Sequence, residues 1–203
     1  MSSSDRFGEK LDESPRKQLL AFVAQEARHN VQHRRFWKQL RTHGYEFDDI
    51  LSFLNILLFK GAAKRLSLNA RLATVAGFER LTELVAEVAL EDDFFGSADV
   101  NLRELFEWHA AEELADKTVA FDVLSQVGSG YTTRMFGMLF ANAVFAFFSS
   151  WVTLRFLRRD EALFSMRTVH DLAAFAFLKE RFVPRWFVHS LDYLRPGFHP
   201  KST

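Results

Sequence analysis

Gln25-Glu26-Ala27-Arg28-His29, with His33 one turn on, and Trp108-His109-Ala110-Ala111-Glu112-Glu113-Leu114-Ala115-Asp116-Lys117 are the stretches on which the fold turns. Both lie in helix-forming sequence, where residues three, four and seven apart share a face. Each therefore lays carboxylates and imidazoles in a stripe along one side of a helix, which is how a metal site inside a helical bundle is built. Glu followed three residues later by His places an oxygen and a nitrogen donor one turn apart, close enough to share one divalent ion or to bridge two. Glu26 and His29 keep that spacing, and His33 extends the stripe. In the second stretch Glu113 and Asp116 keep it with an oxygen in the nitrogen's place. His109 stands one turn before them and Glu112 beside them.

Glu-x-x-His also arises by chance on the solvated face of an amphipathic helix, where it carries no function. Here both stripes run among apolar neighbours: Leu19, Leu20, Phe22 and Val23 around the first, Leu105, Phe106, Trp108, Val119 and Phe121 around the second. Charges that turn inward among such residues need partners or a metal.

Outward from these stretches the helical period continues. Ser14 can cap a helix with Pro15 at its first position, and the apolar spacing then runs through Glu26 and His29 to a stop at Gly44. A shorter helix is expected from about Phe47 to Phe59, closed by Gly61. Ser67 or Asn69 can open the next, which carries Glu79, Glu83 and Glu87 at four-residue intervals and ends near Glu91. Ser97 or Asp99 can cap the helix of the second stretch, ended by Gly128-Ser129-Gly130. No β-type alternation of useful length and no solenoid repeat appears, so the chain reads as all-α.

At 203 residues and 48% hydrophobic content the chain can bury a sizeable core as one domain, and its formal charge of zero gives no reason to expect nucleic acid as a partner. The absence of cysteine excludes disulfides, thiolate ligands and a cysteine nucleophile. Met1 to Lys10 is polar and lacks the apolar core of a secretory signal, so the cytoplasm is the default compartment. The aromatic residues are unevenly spread. Residues 134–203 hold half of the 30 and carry ten Lys and Arg against five Asp and Glu, which sets a basic half of +5 against an acidic half of −5. The division expected is a metal-type bundle over 1–133 with aromatic, basic helices over 134–203 packed on it within one domain.

Met135 to Leu154 is twenty residues without a charge, the length of a bilayer crossing. Asn142, Ser149, Ser150 and Thr153 interrupt it, and Arg155, Arg158 and Arg159 beyond it would place the metal-type half outside the cell without a signal peptide. A helix buried between others, or one lying against a membrane surface with its arginines among the headgroups, fits the same residues. The buried helix is the expectation.

The strings AFVAQEARHNVQHRRF and WHAAEELADKTVAFDV, with Tyr193-Leu194-Arg195-Pro196-Gly197-Phe198-His199-Pro200 near the end, together resemble the bacterial family described as predicted metal-dependent hydrolases. The likeness runs from about Pro15 to Pro200. In such proteins the first string reads Gln-Glu-x-x-His-x-x-x-His, matched by Gln25, Glu26, His29 and His33. The second is similar to Trp-His-Ala-x-Glu-Glu-x-Glu-His-Lys followed by Ala-Phe-Asp, matched by Trp108, His109, Glu112, Glu113, Lys117, Ala120, Phe121 and Asp122. The resemblance implies a further Glu from the helix between them, Glu79. The chain departs from the pattern at Asp116, where family members carry His, and at Arg80, where they usually do, and the resemblance leads one to expect no counterpart here of the family's preceding helix with another Glu.

What the resemblance implies is a ferritin-like helical bundle with extra C-terminal helices, holding one or two divalent ions of iron, zinc or manganese. A di-metal bundle takes about six protein ligands, so the departures point to a weaker or mononuclear site, or to a lost one. For hydrolysis the implied ligands are Glu26, His29, Glu79, Glu113 and Asp116, with His33 or His109 orienting a ligand or carrying a proton. For oxygen chemistry the same set would hold two irons, and the Phe-rich half would supply a dry pocket for an apolar small molecule. A membrane-surface or interaction module with a degenerate site is the third reading, and all three stay open. Of the other histidines, His199 is expected in an exposed turn and His43 at a helix C-terminus. Asp122 is as well suited to a helix hydrogen bond as to supporting a ligand. His170 and His189 lack acidic neighbours at ligand spacing, apart from the adjacent Asp171, and take no role.

Overall fold

The computed structural model describes residues 13–202, without the side chains of Ser14, Pro15 and Ser202. The polar start lies outside the described residues, and the first helix already includes Glu13, so Ser14 and Pro15 lie within it rather than at its cap. Helix takes 81% of the structure and no strand occurs among the described residues, so the all-α helical bundle expected from the sequence is the fold.

Helix α1 spans Glu13–Thr42. It ends where the Gly44 N–H bonds the Arg41 carbonyl and the Tyr45 N–H bonds that of Leu40, the paired closure that needs a left-handed residue. Gly44 supplies it with φ of +81°. Helix α2 covers Asp48–Asn55 and runs on through wide π turns over Ile56–Ala62 to a last turn at Ala63–Arg65. Gly61, expected as a stop, is absorbed by those turns. Ser67 then caps α3, Leu68–Glu91, by accepting the Ala70 N–H at 3.2 Å. Asp99 caps α4, Val100–Asp116, in the same way through Asn101. The helix does not continue to Gly128: it breaks at Lys117-Thr118 and restarts as α5, Val119–Gln126. Helix α6 is Tyr131–Arg159, α7 is Met166–Ala173 with π turns over Ala174–Leu178, and α8 is Phe182–Tyr193.

Helix α3 is the spine, with α4, α5, α6 and α8 all packed against it. Small residues let α3 and α6 approach: a Cβ built on Gly137 would stand 2.3 Å from the Ala73 backbone, and one on Gly77 would stand 3.0 Å from the Gly137 carbonyl oxygen. Leu72, Ala73 and Ala76 join Leu19 and Phe22 of α1 and Val123 and Leu124 of α5 in one core cluster. Leu81, Phe121, Met138, Tyr193 and Phe198 form a second. Full burial of a side chain such as Leu or Phe contributes about 1.5–3 kcal/mol, so these clusters fix where α1, α5 and α6 stand relative to α3, while Ala110 of α4 packs on Ala86 and Ala89.

Met135–Leu154 lies inside α6 but is not enclosed. Met138, Ala141, Val144 and Phe148 are buried, whereas Phe136, Leu139, Phe147 and Leu154 form an outward stripe. By length and composition α6 could cross a membrane, and 28% of its most apolar window is buried. The expectation of a helix buried between others is thus met in part, because α3, α8 and α2 pack along one side, with Phe53 of α2 reaching Phe147, while Phe136, Leu139 and Leu154 stay exposed.

Candidate metal centre

The inward stripe of α1 begins as ordinary core with Leu19 and Phe22, then continues through Glu26, His29 and His33 before returning to Phe36, Trp37 and Leu40. Helix α4 does the same with Phe106, His109, Ala110, Glu113 and Asp116. The polar residues thus occupy the positions that packing gives to apolar ones, which is the reverse of a solvated face. His29 is 2% exposed and Glu113 8%. Backbone contacts between α1 and α4 are sparse, and the long polar side chains bridge the gap.

His29 Nε2 lies 2.8 Å from Glu112 Oε2. A carboxylate only accepts, so Nε2 carries the proton and donates, leaving the Nδ1 lone pair free for a cation. That Nδ1 is buried with no hydrogen-bond partner, and it faces Glu26 Oε1 at 3.3 Å and Glu113 Oε1 at 3.4 Å. His109 Nε2 is 3.5 Å from the same Glu113 oxygen. One ligand atom each from His29, His109 and Glu113 can be taken with all of them within 4.8 Å of one another. Around an ion with ligand bonds of about 2.1 Å, tetrahedral donors stand about 3.4 Å apart, so the separations of 3.3, 3.4 and 3.5 Å suit a shared divalent ion.

The electrostatics point the same way. Burial first, then the charges of Glu113, Glu26 and Asp116, hold the Glu79 carboxyl well above the usual carboxylate range. Burial, Glu113 and Asp116 also raise Glu26, against a smaller opposing pull from His29. Burial pushes His109 down to about 4, with His29 and His33 adding to it, and burial likewise lowers His33. Glu26, Glu79, Glu113 and Asp116 are therefore mutual neighbours, and among the described residues no Lys or Arg forms an ion pair with any of them. Of the acids here Arg28 meets Glu112, at 3.9 Å on the rim. The cations next in sequence are committed elsewhere: Arg80 holds the fully buried Glu83 at 2.5 Å, and Lys117 holds its other oxygen at 3.0 Å. Helical geometry explains the sorting, since a neighbouring residue projects about 100° away, so Glu79 and Asp116 turn to the acidic cluster while Arg80 and Lys117 turn to Glu83.

A family model described as predicted metal-dependent hydrolase matches residues 1–203. The chain belongs to that family. No curated protein and no solved structure matches it. For a predicted metal-dependent hydrolase, the cluster of His29, His109 and Glu113 is a site of the right chemistry to take a divalent metal.

Of the seven residues singled out in the sequence, His29, His109 and Glu113 form the cluster, Glu26 stands beside His29, and Glu79 and Asp116 lie within electrostatic reach. Glu26, His29 and His33 come from α1, Glu79 from α3, and His109, Glu113 and Asp116 from α4. His33 stands one ring away from the centre, 4.8 Å from the His109 ring and stacked on Trp37. Glu112 carries the shortest contact to His29, although the sequence gave it no part. Its signal was the Glu112-Glu113 pair itself, two carboxylates flanking the direction of the facing helix. Two other histidines differ from expectation. His199 is not in an exposed turn: its Nε2 lies 2.8 Å from Asp122 Oδ1 and its ring packs on Phe121, because the buried Phe198 draws the tail back over α5. His189 finds an acid in Glu87, 3.1 Å away on α3, a partner from another helix that spacing could not reveal.

Proposed function

We propose that this chain is a hydrolase that works with a divalent ion held between α1, α3 and α4. The observation that carries this reading is the crowding of Glu26, Glu79, Glu113 and Asp116, with no Lys or Arg paired to them among the described residues, around a buried His29 Nδ1 that has no hydrogen-bond partner there. Such a cluster costs stability unless a cation occupies it.

Glu26, Glu113, His29 through Nδ1 and His109 through Nε2 would hold the ion, and Glu79 and Asp116 add the remaining negative charge. Bound there, the ion would polarise a carbonyl or phosphoryl oxygen of the substrate and acidify a water. Glu112 accepts the His29 Nε2 proton, which fixes the tautomer and ring orientation. Trp108 packs edge-on against His29 at 5.4 Å and shields it from solvent. His33, whose ring lies 4.8 Å from that of His109, would take up or pass on a proton. Of the two histidines considered for proton transfer, the geometry thus favours His33 for that role and His109 as a ligand.

A second reading is iron-dependent oxygen chemistry on an apolar substrate in a ferritin-like site. It draws on the same donors and on a groove of about 550 Å³ lined by Ile50, Leu54, Phe78, Val144, Phe145 and Phe148, with Phe78 immediately before Glu79 in α3. The experiment is an assay of the zinc-, manganese- and iron-loaded protein against carboxylic esters, amides and phosphate esters. Hydrolysis of one class, abolished by a chelator and by His29→Ala, is the expected result. Dioxygen uptake by the iron form without hydrolysis would favour the second reading, and neither activity would leave a non-catalytic module.

A further inference from the structure

We propose that the C-terminal half docks on an anionic phospholipid bilayer, lying on its surface. Helix α6 offers the outward stripe of Phe136, Leu139, Phe147 and Leu154, ending at the exposed Arg158. Beyond it the loop into α7 projects Phe164 at 91% exposure and Met166 at 81%, with the equally exposed Arg167 next in sequence. Leu178 is followed by Lys179 at the end of the π turns, and α8 turns Phe187, Val188 and Leu191 outward. Ordinary soluble surfaces expose single apolar residues. Here three successive elements each expose several, and cations follow directly on two of them. Apolar side chains that enter the acyl boundary while adjacent Lys and Arg meet the headgroups are the pattern of a surface-bound membrane protein.

Charge decides between the occupants. Between 155 and 181 the exposed cations Arg158, Arg159, Arg167, Lys179 and Arg181 outnumber the exposed acids Asp160, Glu161 and Asp171, so two copies meeting through this face would bring like charges together, whereas an anionic bilayer gains from the excess. Packing decides between lying on the membrane and crossing it. The other side of α6 is locked to α3 at Gly137 and Ala73, and Asn142 accepts hydrogen bonds from Trp186 and Ser190 of α8. A crossing would tear these contacts out of the core.

The test is co-sedimentation of the full chain with vesicles of phosphatidylcholine alone and of phosphatidylcholine mixed with phosphatidylglycerol. The wild type should pellet with the anionic vesicles, weakly with the neutral ones, and less as salt is raised. Phe164→Ser with Met166→Ser changes only exposed side chains and should weaken partition more than tenfold. Arg158→Ala and Arg167→Ala should each cost about fivefold on the anionic vesicles and little on the neutral ones. Unchanged helicity and metal content in these variants would separate a docking defect from a folding one. No pelleting of the wild type, or partition indifferent to all four substitutions, would overturn the proposal. So would a stable dimer that Leu139→Glu dissociates while vesicle binding is absent.

Discussion

The acidic faces of α1 and α4 and the outward faces of α6 to α8 break the burial rule in opposite directions. In the first region carboxylates and imidazoles sit where packing calls for apolar residues, and in the second large apolar residues sit where water calls for polar ones. Each inversion costs free energy in the isolated chain, and under the two proposals above a cation would remove the first cost and a lipid surface the second. Helix α3 belongs to both regions, giving Glu79 to the first and the Ala73–Gly77 seat of α6 to the second.

The largest effect should follow from separating the two regions at that seat. Gly137→Ala puts a Cβ 2.3 Å from the Ala73 backbone, which cannot yield as a flexible side chain could. Destabilisation at or above the upper end of the roughly 1–3 kcal/mol usual for overpacking is expected in urea denaturation. A stability equal to wild type would mean that the helices slide freely, and the shared-spine account would fail.

Metal removal comes next and should touch only the first region. An ion at about a hundred times its dissociation constant stabilises the folded state by about 2.7 kcal/mol. A chelator should therefore lower the melting temperature by several degrees, reversibly, and should leave vesicle binding unaltered. A melting temperature indifferent to chelator would break the contrast.

A smaller effect comes from the acids themselves in the metal-free chain. Glu79 is raised when folded, so the folded state holds that proton more tightly than the unfolded one does. Its contribution to stability is complete below the unfolded value of about 4.5 and is lost as pH rises through the higher folded value. Glu79→Gln does not titrate, so its stability relative to wild type should improve steadily from acid to neutral pH and beyond. Denaturation curves across that range, in chelator, check the sign; a difference independent of pH would remove Glu79 from the cluster.

The smallest effect is expected at Asp116. Asp116→His offers a nitrogen where the family pattern has one and should tighten zinc binding in a competition titration, since imidazole suits a borderline ion better than an added carboxylate. Unchanged affinity would mean that Asp116 contributes charge without contact.

The helices were legible because their punctuation is local. Ser67, Asp99 and Gly44 act within their own turn, and each does in the structure what its residue type suggests. Gly61 and the break at Lys117-Thr118 were not, since wide turns and mid-helix breaks are set by packing between helices, which sequence spacing does not carry. In the site, the residues fixed by i, i+3 and i, i+4 spacing on one helix were readable: Glu26 with His29, and His109 with Glu113. Contacts across helices were not, which is why Glu112 and the Glu87–His189 pair went unassigned. The outward face of α6 escaped for a related reason, because an uncharged run tells how apolar a helix is and not how many neighbours surround it.

Elemental analysis of the full chain purified without added metal tests the central claim most directly. Wild type should carry about one or two equivalents of one first-row metal. Glu104→Ala, an exposed acid on the outer side of α4, should match it, while His29→Ala and Glu113→Ala should lose the metal. Equal metal in all four proteins, or none in wild type even after incubation with zinc, manganese or ferrous iron, would contradict a metal centre between α1, α3 and α4.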